Sequence, residues 1–255
     1  AQNFTTSTSS YNTAIGSDAG KAITTGVENT LIGSSAGDAL TDADYNVAVG
    51  ISALSADTLG SRSVAIGRMA LGNQNFTTAT HTYNTAVGYS AGIQVTTGTH
   101  NTLIGGDAGD AITTGLSNVA IGYNALSTED AHGLNTAVGY SALATLNAGA
   151  DGFNVAVGYR AGTAMTTGLY NTILGGDAGR LITTGGRNIA IGLQAMDANT
   201  TGSSNIGIGV NALGDLNPAT ATTMYNIAIG DASGANVTTG VQNTFVGGLA
   251  GDGTD

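Results

Sequence analysis

The sequence predicts an all-β fold, a parallel β-solenoid (β-roll) of about 14 coils with a 17-residue coil. Three observations carry that prediction. An Asn-β-Ala-aliphatic-Gly phrase, in which β is a β-branched residue, recurs fourteen times between Asn12 and Asn243. Successive copies start 17 residues apart, except that every fourth coil is longer by two or four. Gly fills the fifth place in all fourteen copies, from Gly16 to Gly247. A period near 17 is too short for a two-helix repeat or a propeller blade, and it fits one solenoid turn rising about 4.8 Å.

Numbering each coil from its Asn gives every column a physical reading. Position 1 is Asn in thirteen copies, the exception being Ser63; Asn tolerates the left-handed region and can stack as a hydrogen-bonded ladder. Position 2 is always Thr, Val or Ile and position 4 always Ile, Val or Leu. The two share a face, as a strand with one buried face requires, and that face is expected to hold core aliphatics. The invariant Gly at position 5 suits a corner needing positive φ or close backbone approach. Position 8 is Ala except at Ser233, so packing there admits only a small side chain.

Positions 9 and 12 exchange bulk. Where position 9 is Gly, as at Gly20, Gly92 and Gly162, position 12 supplies Ile23, Val95 and Met165; where position 9 is large, it is Leu54, Leu71, Leu126, Leu143, Met196 or Leu213. One aliphatic thus enters each coil from either of two places. Position 3 is mostly small but becomes Leu31, Leu103, Ile173 and Phe245 in the second coil of each group of four. A four-coil super-repeat of about 72 residues follows, with units at 12–83, 84–153, 154–225 and a partial 226–255. The whole chain, 1–255, is expected to be a single solenoid segment of a longer fibre.

"NTAIGSDAG", "NVAVGYRAG" and "NIAIGDASG" resemble the head repeats of trimeric autotransporter adhesins, a left-handed parallel β-roll. They resemble still more the Asn-Thr-Ala-Ile-Gly, Thr-Thr-Gly repeats of phage tail-fibre and related extracellular fibre proteins. Thr-Thr-Gly stands here at 24–26, 96–98, 113–115, 166–168, 183–185, 200–202 and 238–240. The resemblance implies a homotrimer at a cell surface or in a virion tail fibre.

Composition excludes several functions. With 17 acidic against 6 basic residues the net charge is −11, which disfavours nucleic acid and gives no basic stripe for a membrane. No apolar run is long enough for membrane insertion. Cys is absent, so disulfides and thiolate metal sites are excluded. His81, His100 and His132 form no metal signature, and no nucleophile elbow is present, so no enzyme activity, resident metal or cofactor is expected. Asp18, Asp107 and Asp177 share position 7 several coils apart, as solvated turn residues would. "GGDAGD" at 105–110 resembles a calcium-binding loop but lacks the nine-residue spacing, which leaves only incidental Ca2+ on an acidic surface.

Binding candidates fall in two places. Tyr89, Tyr123, Tyr140 and Tyr159 occupy position 6, where exposed rings could stack on sugars. The extended fourth coils carry the loop residues Phe76, His81, Asn147, Asp151 and Pro218, and loops on a rigid scaffold are where binding usually resides. A further aromatic set, Tyr11, Tyr45, Tyr83, Phe153, Tyr170 and Tyr225, precedes the Asn and is read as turn packing. The function expected is a structural and adhesive extracellular fibre segment that presents periodic loops to a receptor or cell-surface glycan and associates with itself. A self-assembling filament subunit is the alternative, and a carbohydrate-binding module and an ice-binding protein stand further off. Ice binding is set back because the position-2 Thr column is interrupted by Val and Ile and is assigned to the same face as the core aliphatics, and because the Thr-Thr-Gly column is interrupted as well.

Overall fold

The computed structural model describes residues 9–253. The chain divides into two compact units, one up to Asn124 and one from Ala125 onward. Each is a parallel β-solenoid of seven coils, fourteen in all, and among the described residues there is no helix.

The first unit contains β1 (Thr13–Ile15), β2 (Thr30–Ile32), β3 (Val47–Val49), β4 (Gly60–Ser61), β5 (Val64–Ile66), β6 (Thr80–His81), β7 (Thr85–Val87), β8 (Thr102–Ile104) and β9 (Val119–Ile121). Its main sheet runs β1-β2-β3-β5-β7-β8-β9, while β4 and β6 pair separately. The second contains β10 (Thr136–Val138), β11 (Val155–Val157), β12 (Thr172–Leu174), β13 (Ile189–Ile191), β14 (Gly202–Ser203), β15 (Ile206–Ile208), β16 (Thr222–Thr223), β17 (Ile227–Ile229) and β18 (Thr244–Val246). There the order is β10-β11-β12-β13-β15-β17-β18, with β14 and β16 apart. All pairs are parallel and in repeat register, so Thr85 faces Thr102 and Ala86 faces Leu103. The small sheets β4-β6 and β14-β16 form only where a fourth coil is long by four residues.

Register follows from coil-to-coil hydrogen bonds around the whole turn. Thr30 N–H donates to Asn46 O (2.8 Å), Gly37 N–H to Ala53 O (2.9 Å) and Thr41 N–H to Thr58 O (2.9 Å). Position-13 threonines add their hydroxyls to this ladder, Thr96 Oγ1 donating to Thr113 O and Thr183 Oγ1 to Thr200 O. The Thr-Thr-Gly element is thereby a coil-to-coil bonding unit.

The strand faces are the reverse of the expectation. Position 3 points inward: Leu31, Ala48, Ala65, Ala86, Leu103 and Ala120 are fully buried in the first unit, and Ala156, Ile173, Ala190 and Ala228 in the second. Positions 2 and 4 point outward, half-buried or exposed in every strand of the main sheets. A coil this narrow has room inside the strand for Ala and for one knob in four coils, so the β-branched residues go outside.

The volume exchange holds. Leu54, Leu71 and Leu126 at position 9 and Ile23, Leu40, Val95 and Ile112 at position 12 are all fully buried or nearly so. A Cβ on Gly92 would sit 2.5 Å from Leu103 Cδ1 and 3.3 Å from Val95 Cγ2, so Gly at position 9 is what admits both the knob and the position-12 aliphatic.

The buried Asn column is a ladder, but it is not left-handed. Each Asn accepts the backbone N–H of the next through Oδ1, as in Asn46 N to Asn29 (2.9 Å) and Asn188 N to Asn171 (3.0 Å). In coils of ordinary length Nδ2 donates to position 15 of its own coil, as Asn101 does to Gly115 O (2.9 Å), which closes the turn, whereas Asn135 and Asn205, which open long coils, donate to Gly133 O and Ser203 O of the coil before. The left-handed residue is the one before it, Tyr45 (φ 60°) or Arg187 (φ 57°) among them. Where Ser63 interrupts the ladder, Gln74 Nε2 and the Thr82 hydroxyl bond its Oγ, and Gln74 Oε1 accepts from Asn84 Nδ2. The substitution is repaired by side chains that the long coil brings inward.

Candidate functional site

The position-6 tyrosines all stand about half exposed. Arg68 lies 5.6 Å from the ring centroid of Tyr89 and donates to its hydroxyl at 3.3 Å. Tyr123 packs over Gly106, which has no side chain to lift it. Tyr140 and Tyr159 stack on each other at 5.5 Å and 20°, and Arg160 sits 4.9 Å from the centre of the Tyr159 ring. These rings therefore spend faces on neighbouring coils, and the Tyr89 hydroxyl is taken by Arg68.

Position 17 forms a second stacked column. In the first unit Arg62 lies between Tyr45 (5.1 Å) and Tyr83 (5.8 Å), and Tyr83 meets His100 at 5.3 Å and His81 edge-on at 6.1 Å. The second unit has Phe153 flat against Tyr170 at 5.5 Å and 8°, with Arg187 over Tyr170 at 5.6 Å. Left-handed backbone at each position 17 turns these side chains outward in step.

The loop residues divide into two groups. His81, Asn147 and Asp151 are exposed; Asn147 N–H donates to Thr166 O, and Asp151 Oδ1 accepts the Gly133 N–H. Phe76 and Pro218 are buried, so they anchor the extensions rather than present themselves to a partner. Both occupy position 14 of a fourth coil, with Ala148 as their buried equivalent. Beneath each lies a buried polar residue at position 12 of the coil before: Asp57, Glu129 and Asn199. Asp57 Oδ1 accepts from Gly60 and Phe76 N–H and its Oδ2 from Gln74 Nε2. Glu129 accepts from His132 and Ala148 N–H. Burial pushes both carboxyls above the usual carboxylate range, against hydrogen bonds that pull the other way.

Two of the three position-7 acids face a cation. Asp177 pairs with Arg160 at 2.8 Å and Asp18 with Lys21 at 3.6 Å. Glu129, Asp130 and His132, within four residues of one another in the chain, bring one ligand atom each within 4.8 Å of one another. Two of the bonds to Glu129 come from backbone N–H groups closing the turn, which makes it a turn-holding residue. Asp107 is in the same turn as Asp110, whose carboxyl is raised by burial first and by Asp107 second.

Two surfaces escaped the sequence reading. One is the outward face of each main sheet. The other is a cavity of about 220 Å³ lined by Thr167, Leu169, Tyr170, Thr184, Gly186, Arg187 and Ser203. Its visible signal is Gly186 at position 16, without a side chain between Leu169 and Ser203.

The fold defines a parallel β-solenoid repeat protein. Comparison with protein-family models, with curated proteins and with solved structures gives no match.

Proposed function

We propose that this chain is a segment of a self-associating, adhesive extracellular fibre, of the tail-fibre or surface-adhesin kind. The observation that carries the reading is the outward sheet face. In the first unit it presents Thr30, Val47, Val64, Thr85, Thr102 and Val119 in one rank, and Ile32, Val49, Ile66, Val87, Ile104 and Ile121 in the next. Neither rank holds a charge or a Pro in either unit. Monomeric proteins rarely leave a contiguous apolar sheet face open to water, and edges and faces meant to stay single carry Lys, Glu or Pro. A second copy of the same chain supplies a matching face at the same spacing. Homotrimer is the stoichiometry that the adhesin-head resemblance suggests.

Solution mass by light scattering tests the reading. A discrete oligomer at micromolar concentration that falls to protomer in Val87→Lys/Ile104→Lys supports it, and a mass that grows without limit favours the filament subunit. A protein that stays monomeric at high concentration overturns self-association.

One observation favours a second reading. Because position 2 faces outward, Thr13, Thr30, Thr85 and Thr102 in one unit and Thr136, Thr172 and Thr244 in the other lie half-buried or exposed on the outward sheet face. The outward face removes the core-facing objection to ice binding, while Val and Ile still interrupt the Thr column. Thermal hysteresis in concentrated solution decides it, and freezing behaviour equal to that of a control protein removes it.

A further inference from the structure

The six Lys and Arg residues of this acidic chain are not equally committed. Lys21 faces Asp18, Arg160 faces Asp177, and Arg180 makes two bonds to Asp197 at 2.9 and 3.1 Å. Arg68 bonds the Tyr89 hydroxyl, and Arg62 is held between two rings. Arg187 differs. It rests on one ring, Tyr170, whose far side is covered by Phe153, and it borders the cavity. Among the described residues Arg62, Arg68 and Arg187 have no ion pair, and of these three Arg187 is the one that borders the opening, where an anion can reach it.

The remaining walls are chemically consistent. Gly186 opens the floor: a Cβ there would stand 2.9 Å from Leu169 O, a carbonyl already engaged by the Arg187 N–H. Ser203 Oγ accepts the Gly186 N–H at 3.1 Å, so its own hydrogen is free to donate. Thr167 and Thr184, exposed at position 14, line the opening, and half-buried Leu169 gives one apolar wall. The cavity, 220 Å³, is smaller than the roughly 300–1,000 Å³ typical of drug-sized ligands and admits one small ring.

We infer that this groove binds a single acidic sugar residue through its carboxylate, a hexuronate being the simplest example. A guanidinium braced against an aromatic ring offers a planar fork matching a carboxylate, with two parallel N–H···O bonds. Thr167, Thr184 and Ser203 donate to or accept from sugar hydroxyls, and Leu169 covers a C–H face. The protein's net −11 repels anions at long range, but at physiological salt that field is screened within about 8 Å and the local cation governs. Binding by one groove is therefore weak, and repeated presentation along an assembled fibre supplies avidity.

The inference gives the adhesive part of the proposed function a ligand class. It uses no residue of the outward sheet ranks, so it stands or falls apart from self-association. The test is an amide NMR titration of the assembled protein with sodium galacturonate, methyl galactoside and sodium sulfate, with solution mass measured on the same samples. Saturable shifts at Gly186, Arg187 and Ser203 are expected with galacturonate, with methyl galactoside weaker by about tenfold or more. Arg187→Gln should lose at least about tenfold in galacturonate affinity, and Arg187→Lys should keep part of it, because a point charge lacks the fork. Unchanged galacturonate affinity in Arg187→Gln overturns the inference. Sulfate binding as tightly as galacturonate also overturns it, since the groove would then be a simple anion site.

Discussion

Asp57 accepts the Phe76 N–H at 3.0 Å across nineteen residues, and this bond ties the first long loop to the coil beneath it. The equivalent pair in the next super-repeat is Glu129 with the Ala148 N–H at 3.2 Å. In the third, the loop residue is Pro218, which has no N–H to give, and the residue beneath is the neutral Asn199, which bonds Gly202 through both its oxygen and its nitrogen. A carboxylate stands under the loop where there is an amide hydrogen to receive, and an amide stands there where there is none.

That arrangement makes stability depend on pH. Burial raises the Asp57 pKa in the folded state, so between its unfolded value, about 3.9, and the raised folded value the native protein holds more protons than the unfolded chain. Stability therefore falls as pH rises through that window and levels off above it. Asp57→Asn lacks the ionisation and should lack this contribution. Its absolute stability also carries the loss of the Gln74 bond, so the informative quantity is the wild-type-minus-variant difference. Thermal melts from pH 4 to 8 should show that difference declining with pH, by about 1.4 kcal/mol for each unit separating the two pKa values. Parallel curves would contradict a folded-state shift.

The invariant corner glycines are held by contact as well as by dihedral angle. Gly33 has φ 138°, and a Cβ on it would penetrate the carbonyl of Gly50 in the next coil. Gly33→Ala should cost about 3 kcal/mol or more, since neither the backbone conformation nor the neighbouring carbonyl can yield within a bonded stack. Gly106, at position 6, is the control: its Cβ would meet only the Tyr123 ring at 3.5 Å, and Gly106→Ala should change stability by less than about 1 kcal/mol. Denaturant titration of the two variants checks the contrast, and similar costs would refute the close-approach account.

The corner, the period, the volume exchange and the Asn ladder were legible because each is fixed by a residue type with one physical use. Gly at position 5 and Asn at position 1 have few substitutes. Strand polarity was not legible, because Thr-Ala-Ile alternates equally well with either face inward, and large residues are ordinarily assigned to the core. Here the interior width decides, and the width is set by Ala at position 8 and by coil closure, which no single strand records. Phe76 and Pro218 look like loop surface in the sequence for a related reason: the insertion that lengthens a coil follows them, so they stay inside while Thr77, Thr78 and Ala219 go out. The groove at Arg187 depends on stacking three coils, and only the lone Gly186 marks it in the sequence.

Strand polarity gives the sharpest test, using two adjacent residues of β8. Leu103 is 0% exposed at position 3 and Ile104 is 37% exposed at position 4. Leu103→Lys would bury a charge among Gly92, Gly109 and their aliphatics with no partner, and should cost about 4 kcal/mol or more or prevent folding. Ile104→Lys places its ammonium in water and should alter the stability of an isolated protomer by no more than about 1 kcal/mol. If copies associate through this face, the same Ile104→Lys will lower the melting temperature of concentrated protein and remove its dependence on concentration, because association stabilises the folded form by mass action. Melting both variants over a hundredfold range of protein concentration separates the two effects. A greater loss from Ile104→Lys than from Leu103→Lys in dilute protein would reverse the assignment of the faces.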